Sequence, residues 1–247
     1  MDSNLIFWID LINFVMGCIL FCCVLGGFFG ITGLLDPDNE NIPKKMRTAL
    51  GILIFGSMSV FGNLIGFSDD NVLVNFRDIG PIAGGLWFGP AVAMGAAIMG
   101  ATSRVFFGGV TMIPCSIATI VAGIASAVMY KMFRDQLTVR ISVLIAAVLG
   151  FIHLTIVCLM TPNGLSIALS YPAVGSIVLV VVGVATFSSS YKYFGVRFRE
   201  GPSMGRNKDK KLSHPKVGMN KPVYNFQLRE LEKKNRAERE KKGSLYK

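Results

Sequence analysis

The chain has 247 residues, of which 52% are hydrophobic and only 16% charged, with a mean hydropathy of +0.53 and a formal net charge of +10. Soluble domains carry about 25% charged residues, so water is not the main solvent of this chain and little room is left for a soluble domain. Residues 1–200 hold 11 Lys/Arg against 10 Asp/Glu, whereas 201–247 hold 14 against 5; a basic tail beside an apolar body points to the cytoplasmic face and anionic lipid in preference to nucleic acid.

A helix needs about 20 mostly apolar residues to cross the roughly 30 Å hydrocarbon core, and six segments stand out by that measure. The first covers about residues 5–35. It follows an acidic Met1-Asp-Ser-Asn start without a basic region or a small-residue cleavage site, so it reads as a retained span and not a secretory signal. Asp10 and Asn13, one helical turn apart within it, read as a polar contact between helices ahead of a cavity lining. The polar run Asp36-Pro-Asp-Asn-Glu-Asn-Ile-Pro-Lys-Lys is a loop, and the second segment covers about 48–67.

The third segment, about 79–103, is interrupted by Gly80, Gly84, Gly85, Gly89, Gly95 and Gly100 and by Pro81 and Pro90. Small residues four apart let helix backbones approach closely in lipid, where packing and not water exclusion joins helices. The broken part also suits a re-entrant hairpin. Segments four to six cover 112–133, 139–160 and 173–194, with short connections.

Three basic clusters, Lys44/Lys45/Arg47, Lys131/Arg134/Arg140 and the tail, all belong in the cytoplasm by the positive-inside rule. Six full crossings would separate the first cluster from the other two, whereas five crossings with a re-entrant third segment place all three together and bring Arg77 and Arg104 to the outer side. The expected fold is therefore an all-α integral membrane bundle of six apolar segments, with five or six full spans. Residues 1–199 form the transmembrane domain, 200–222 a flexible polar linker, and 223–247 a charged, marginally helical cytoplasmic tail. Glu230/Lys234 and Glu232/Arg236 supply i,i+4 pairs in that tail.

The five cysteines, Cys18, Cys22, Cys23, Cys115 and Cys158, lie in apolar segments and form no CxxC pair, which reads as reduced and buried thiols, not disulfides or metal ligands. His153, alone in an apolar span, reads as a hydrogen-bonded packing residue ahead of a ligand or proton relay. No P-loop, HExxH or nucleotide fingerprint is present, and no cofactor or metal is expected.

The chemistry concentrates in Asn75-Phe-Arg-Asp-Ile-Gly-Pro-Ile-Ala-Gly-Gly, Arg104-Val-Phe-Phe-Gly-Gly and Pro114-Cys-Ser-Ile-Ala-Thr. An arginine at the membrane edge needs a counter-charge, a polar cavity or a ligand. Asp78 stands beside Arg77, but Arg104 has no acidic residue within 25 positions on either side. Two guanidiniums, the Asn75 amide and the Cys115, Ser116 and Thr119 side chains would suit a small carboxylate, because guanidinium grips carboxylate through paired charge-assisted hydrogen bonds. The plainer alternative has both arginines snorkelling to headgroups and the small polar groups lining helix contacts.

These residues, with the following Gly-Pro, Gly-Gly and Pro-Cys positions, closely resemble the LytS-type five-transmembrane receptor module over about 47–195, including its Asn-x-Arg signature at Asn75-Phe76-Arg77. That module is the sensory input of bacterial histidine kinases and diguanylate cyclases. The resemblance implies a receptor in the cytoplasmic membrane for a small anion such as a 2-oxo acid, with Arg77, Arg104 and Cys115 in ligand-binding roles. The serine usual three residues after that cysteine is Ala118 here, flanked by Ser116 and Thr119. The last 52 residues lack a GGDEF motif, an ATP-binding motif and a phosphoacceptor context around His214, so no enzymatic activity of the chain's own is expected. The expected partners are the ligand, membrane lipids and a histidine kinase, cyclase or response regulator, with no nucleic acid and a homodimer left open. Two other readings stay open, a solute-binding permease subunit and a truncated kinase or cyclase.

Overall fold

The computed structural model of the protein describes residues 3–199, apart from 37, 38, 40, 66, 70, 71 and 75. These residues fall in one unit that ends at Pro202; the linker and charged tail helix expected beyond it lie outside the described residues. The helices are α1 (Ser3–Thr32), α2 (Lys44–Leu64), α3 (Ile79–Phe88), α4 (Pro90–Phe107), α5 (Met112–Phe133), α6 (Val139–Met160), α7 (Gly164–Ala168) and α8 (Tyr171–Phe194). Among the described residues six of them, all but α3 and α7, are long and apolar enough to cross a membrane. The fold is an all-α multi-span bundle, and the protein is a multi-pass membrane protein.

Helices α5 and α6 begin and end where the apolar runs do. Thr138 sits just before α6, and its hydroxyl accepts the Ile141 N–H at 3.2 Å, satisfying one of the donors a helix start leaves free. Between α2 and α3 two three-residue strands, β1 (Phe67–Asp69) and β2 (Val72–Val74), pair antiparallel with Ser68 opposite Leu73.

The third apolar segment divides at Gly89, whose φ of +110° favours glycine, and Pro90 opens α4. At about 1.5 Å per residue, the ten residues of α3 reach roughly 15 Å, about half of a membrane core. The chain then doubles back. A Cβ on Gly85 would stand 2.6 Å from the Ala93 Cβ, and one on Gly100 would stand 3.3 Å from the Arg77 side chain, so α3 and α4 form an antiparallel hairpin. Helices α2 and α4 consequently run parallel: Gly51 meets Val92, Ile52 meets Gly95, and Gly56 meets Met99. The third segment is thus a hairpin of the expected kind, with a second arm as long as a full span.

Chain direction then follows around the bundle. The start of α2, the α3–α4 turn, the end of α5, the start of α6 and the end of α8 gather at one end. Gly89 lies 3.6 Å, measured from an added Cβ, from the Tyr130 ring, and the Lys192 ammonium donates to the Leu137 carbonyl at 2.7 Å. Lys44, Arg134, Arg140 and Lys192 all belong to that end. It is packed by aromatic rings, with Phe55 against Phe29, Phe88 and Phe187, and Trp87 against Tyr191. Phe106, Phe151 and Leu159 stand 72% or more exposed on the outer surface, a distribution that suits lipid and not water.

Candidate functional site

Toward the opposite end, the turn before α3 meets α4, α5, α6 and α8 around a cavity of about 60 Å³, with Ile167 of α7 over it. Asp78, Arg104, Thr111, Cys115, His153 and Ser176 supply its polar lining, and Ile82, Leu149, Val157, Ile177 and Val180 much of its apolar wall. At about 10–15 Å³ per water-sized group, it has room for roughly four to six such groups.

Arg77 is completely buried and its donors are directed into protein. Its Nε donates to Asp78 Oδ1 at 3.2 Å, one terminal nitrogen to Asn63 Oδ1 at 3.1 Å and the other to the Cys115 carbonyl at 3.4 Å. Gly62 makes this possible, since a Cβ there would lie 2.6 Å from the Arg77 backbone nitrogen. Arg77 therefore braces the wall without lining the cavity. Asp78 is the hub: Oδ1 also accepts the Thr119 hydroxyl at 2.7 Å, and Oδ2 lies 2.6 Å from His153 Nδ1. Asp78 lies in the turn ahead of α3, outside the long helices. Burial alone would push its carboxyl up, but the Arg77 guanidinium and His153 against it hold it below the usual carboxylate range.

Arg104, 6% exposed, is differently placed. One terminal nitrogen donates to the Thr111 hydroxyl at 3.1 Å, and its buried Nε has no hydrogen-bond partner among the described residues. The Cys115 side chain lies among Arg104, Thr111 and His153. With Arg77 and Asp78 offsetting one another, Arg104 leaves the cavity with a positive charge that no carboxylate among the described residues pairs with.

Of the residues singled out in the sequence, Arg104 and Cys115 line the cavity, while Arg77 and Thr119 support it from behind. Ser116 faces elsewhere: its hydroxyl donates to Met112 O at 2.8 Å and Ala101 O at 3.3 Å, in a shallow crease between α4 and α5. Asn75 lies outside the described residues. Asp78, expected only as the counter-ion of Arg77, also lines the cavity. His153 is hydrogen-bonded, as expected, but also faces the cavity, and Thr111 was not singled out at all. Ala118, at the usual serine position, is 3% exposed and outside the lining.

The sequence profile described as 5TMR of 5TMR-LYT matches residues 38–193. Among curated proteins, the chain is similar to the sensor histidine kinase BtsS of Escherichia coli strain K12, 28% identical over 108 residues, covering 44% of this chain and 19% of that protein. It is similar also to the sensor protein LytS of Bacillus cereus, 27% identical over 121 residues, covering 47% of this chain and 20% of that protein. With the sensor histidine kinase YpdA of Escherichia coli strain K12 it shares 35% identity over 86 residues, covering 34% of this chain and 15% of that protein. The matched part thus spans a fifth or less of these relatives' length. No solved structure matches the chain.

Proposed function

The chain belongs to the receptor family described as 5TMR of 5TMR-LYT, and on that premise we propose that its bundle binds a small carboxylate such as a 2-oxo acid and passes the binding event to a signalling partner. The family module is a sensory one, found in sensor histidine kinases. The observation that carries the ligand class is Arg104: a guanidinium buried beside a small cavity, on the neutral Thr111 hydroxyl, with an Nε that has no hydrogen-bond partner among the described residues. A carboxylate would supply the missing charge and acceptors together. Thr111, Cys115 and His153 would complete the contacts, and Arg77, Asp78 and Thr119 would hold the wall in place. The cavity excludes large ligands by volume.

The gathering of Lys44, Arg134, Arg140 and Lys192 at one end supports a bacterial inner-membrane orientation with that end and the C-terminus in the cytoplasm and the cavity toward the outside. A histidine kinase, a cyclase or a response regulator is the partner this reading calls for.

The test is thermal-shift titration of the purified protein with pyruvate, lactate and related acids. Arg104→Ala should weaken binding by about 1.5–3 kcal/mol, roughly ten- to a hundred-and-fifty-fold, while the unliganded melting temperature stays near that of the parent. Arg104→Lys should retain part of the binding. An Arg104→Ala protein that titrates like the parent would sink the assignment.

A further inference from the structure

Asp78, His153 and Cys115 form a sequence of contacts that the carboxylate reading alone does not use. The Asp78 carboxylate lies 2.6 Å from His153 Nδ1, which leaves the other ring nitrogen to serve the cavity. The Cys115 side chain lies against the His153 ring and the Arg104 guanidinium. Reactive thiols occupy such settings: partly exposed, beside a cation, and paired with a base that a third group orients. A thiol needed only for packing would not call for a carboxylate-oriented imidazole next to it.

We propose that Cys115 captures the ligand's ketone carbon as a reversible thiohemiketal, Arg104 holding the carboxylate while the His153–Asp78 pair carries the proton. This rests on the carboxylate reading of the cavity and deepens it. The sulfur bonds to the carbonyl carbon of the 2-oxo acid as the C=O π bond opens. The thiol proton passes by way of His153 to the new alkoxide, giving a hydroxyl. No electron acceptor, cofactor or leaving group is required, and the reverse step releases the ligand unchanged. A ligand of about six non-hydrogen atoms fits the volume, and a 2-oxo acid places its electrophilic carbon one bond from the carboxylate. The receptor would thereby separate 2-oxo acids from 2-hydroxy acids of the same size, which offer the same anion but no electrophile.

The experiment uses pyruvate labelled with carbon-13 at the ketone, added to the purified full chain in detergent and followed by carbon NMR. The bound label should move from the ketone region to that of a tetrahedral carbon and return on dilution. In Cys115→Ala the bound label should stay in the ketone region. That variant should lose about tenfold or more in affinity for pyruvate, and clearly less for lactate, which loses a contact but no bond. His153→Asn should slow the appearance of the tetrahedral signal. Bound pyruvate that keeps its ketone signal in the parent protein overturns the covalent step and leaves the carboxylate reading standing. Failure of pyruvate, glyoxylate, 2-oxobutyrate and lactate all to shift the parent's melting temperature removes both. The parent spectrum decides the matter even if a variant does not fold.

Discussion

The two sides of the bundle are built on opposite principles. Where α1 meets α8, α2 meets α4 and α3 meets both α2 and α4, glycine stands at the crossing points. Gly26, Gly30, Gly80 and Gly84 each have a neighbour's backbone or ring within 3 Å of where a Cβ would lie. In lipid, close backbone approach is the principal source of helix association, and it leaves no room for a ligand. Across the bundle, α5, α6 and α8 surround the turn before α3, and the space between them, walled by Leu149, Val157, Ile177 and Val180, is a cavity with charge in its lining. Close approach at small residues makes one half a scaffold, while the other half keeps a polar cavity beside Arg104. The link between the two is the Arg77–Asp78 turn, which contacts α2 through Asn63, α5 through Thr119 and α6 through His153.

Breaking that link should have the largest effect. Arg77→Ala leaves Asp78 buried with only a hydroxyl and an imidazole for company, and removing one partner of a buried pair costs about 3–5 kcal/mol. The variant should insert but melt early, as followed by fluorescence-detected size exclusion after heating. Arg77→Ala with Asp78→Asn should recover part of the loss, because the uncompensated charge is then gone. A single mutant as heat-resistant as the parent would show that the turn does not hold the halves together.

Next comes the scaffold itself. A side chain at Gly80 would run into the Phe55 carbonyl and lie 3.3 Å from the Ser59 Cβ. Gly80→Leu should therefore cost about 1–3 kcal/mol by forcing α3 from α2, with ligand binding lost only in proportion to unfolding. The cavity side should respond in the opposite way. Ala173→Val adds two methyl groups at the cavity wall, in space the cavity leaves open. Its melting temperature should hold while its affinity for pyruvate falls about tenfold, about 1.4 kcal/mol. Equal responses from the two variants, in the same thermal-shift assay, would erase the distinction.

Much of the scaffold was legible in the sequence, and less of the site. Helices α5 and α6 announce themselves because polar residues bracket their apolar runs, and the glycine and proline content of the third segment marks a break. The position of the break and the parallel run of α2 and α4 depend on how α3 folds back, which no local pattern encodes. Arg104 was legible because a cation without a local acid must find another partner. Helical spacing could have separated Thr119, four residues from Cys115 and on its face, from Ser116, turned about 100° away. The sequence around His153 implies a hydrogen bond but not its position, since its partner Asp78 lies 75 residues earlier and on another element. Thr111 gives no signal of its own, being an ordinary hydroxyl at a helix start until Arg104 is brought to it.

The smallest expected effect concerns how the basic end of α8 is held. The Trp87 indole N–H donates to the Ser188 hydroxyl at 2.9 Å, its ring packs on Tyr191 with centroids 5.1 Å apart, and Lys192 lies 5.5 Å above it. Trp87 closes α3, the arm that begins at the Arg77–Asp78 turn, so one rigid ten-residue helix runs from the cavity wall to the last turns of α8. Helix α8 also lines the cavity through Ala173, Ser176, Ile177 and Val180. A ligand that shifts the turn before α3 relative to α8 must therefore strain this contact at the far end. Trp87→Phe keeps a ring and removes the donor, and interhelical hydrogen bonds in membranes average about 0.6 kcal/mol, with a maximum near 1.7. Stability should fall by about that amount and pyruvate affinity should change by less than about threefold. What should change is the coupling: a spin label at position 193, on the exposed face of α8, should show a pyruvate-dependent change in the parent that shrinks in Trp87→Phe. An identical pyruvate response in both would mean that α8 takes the signal directly from the cavity and not through α3.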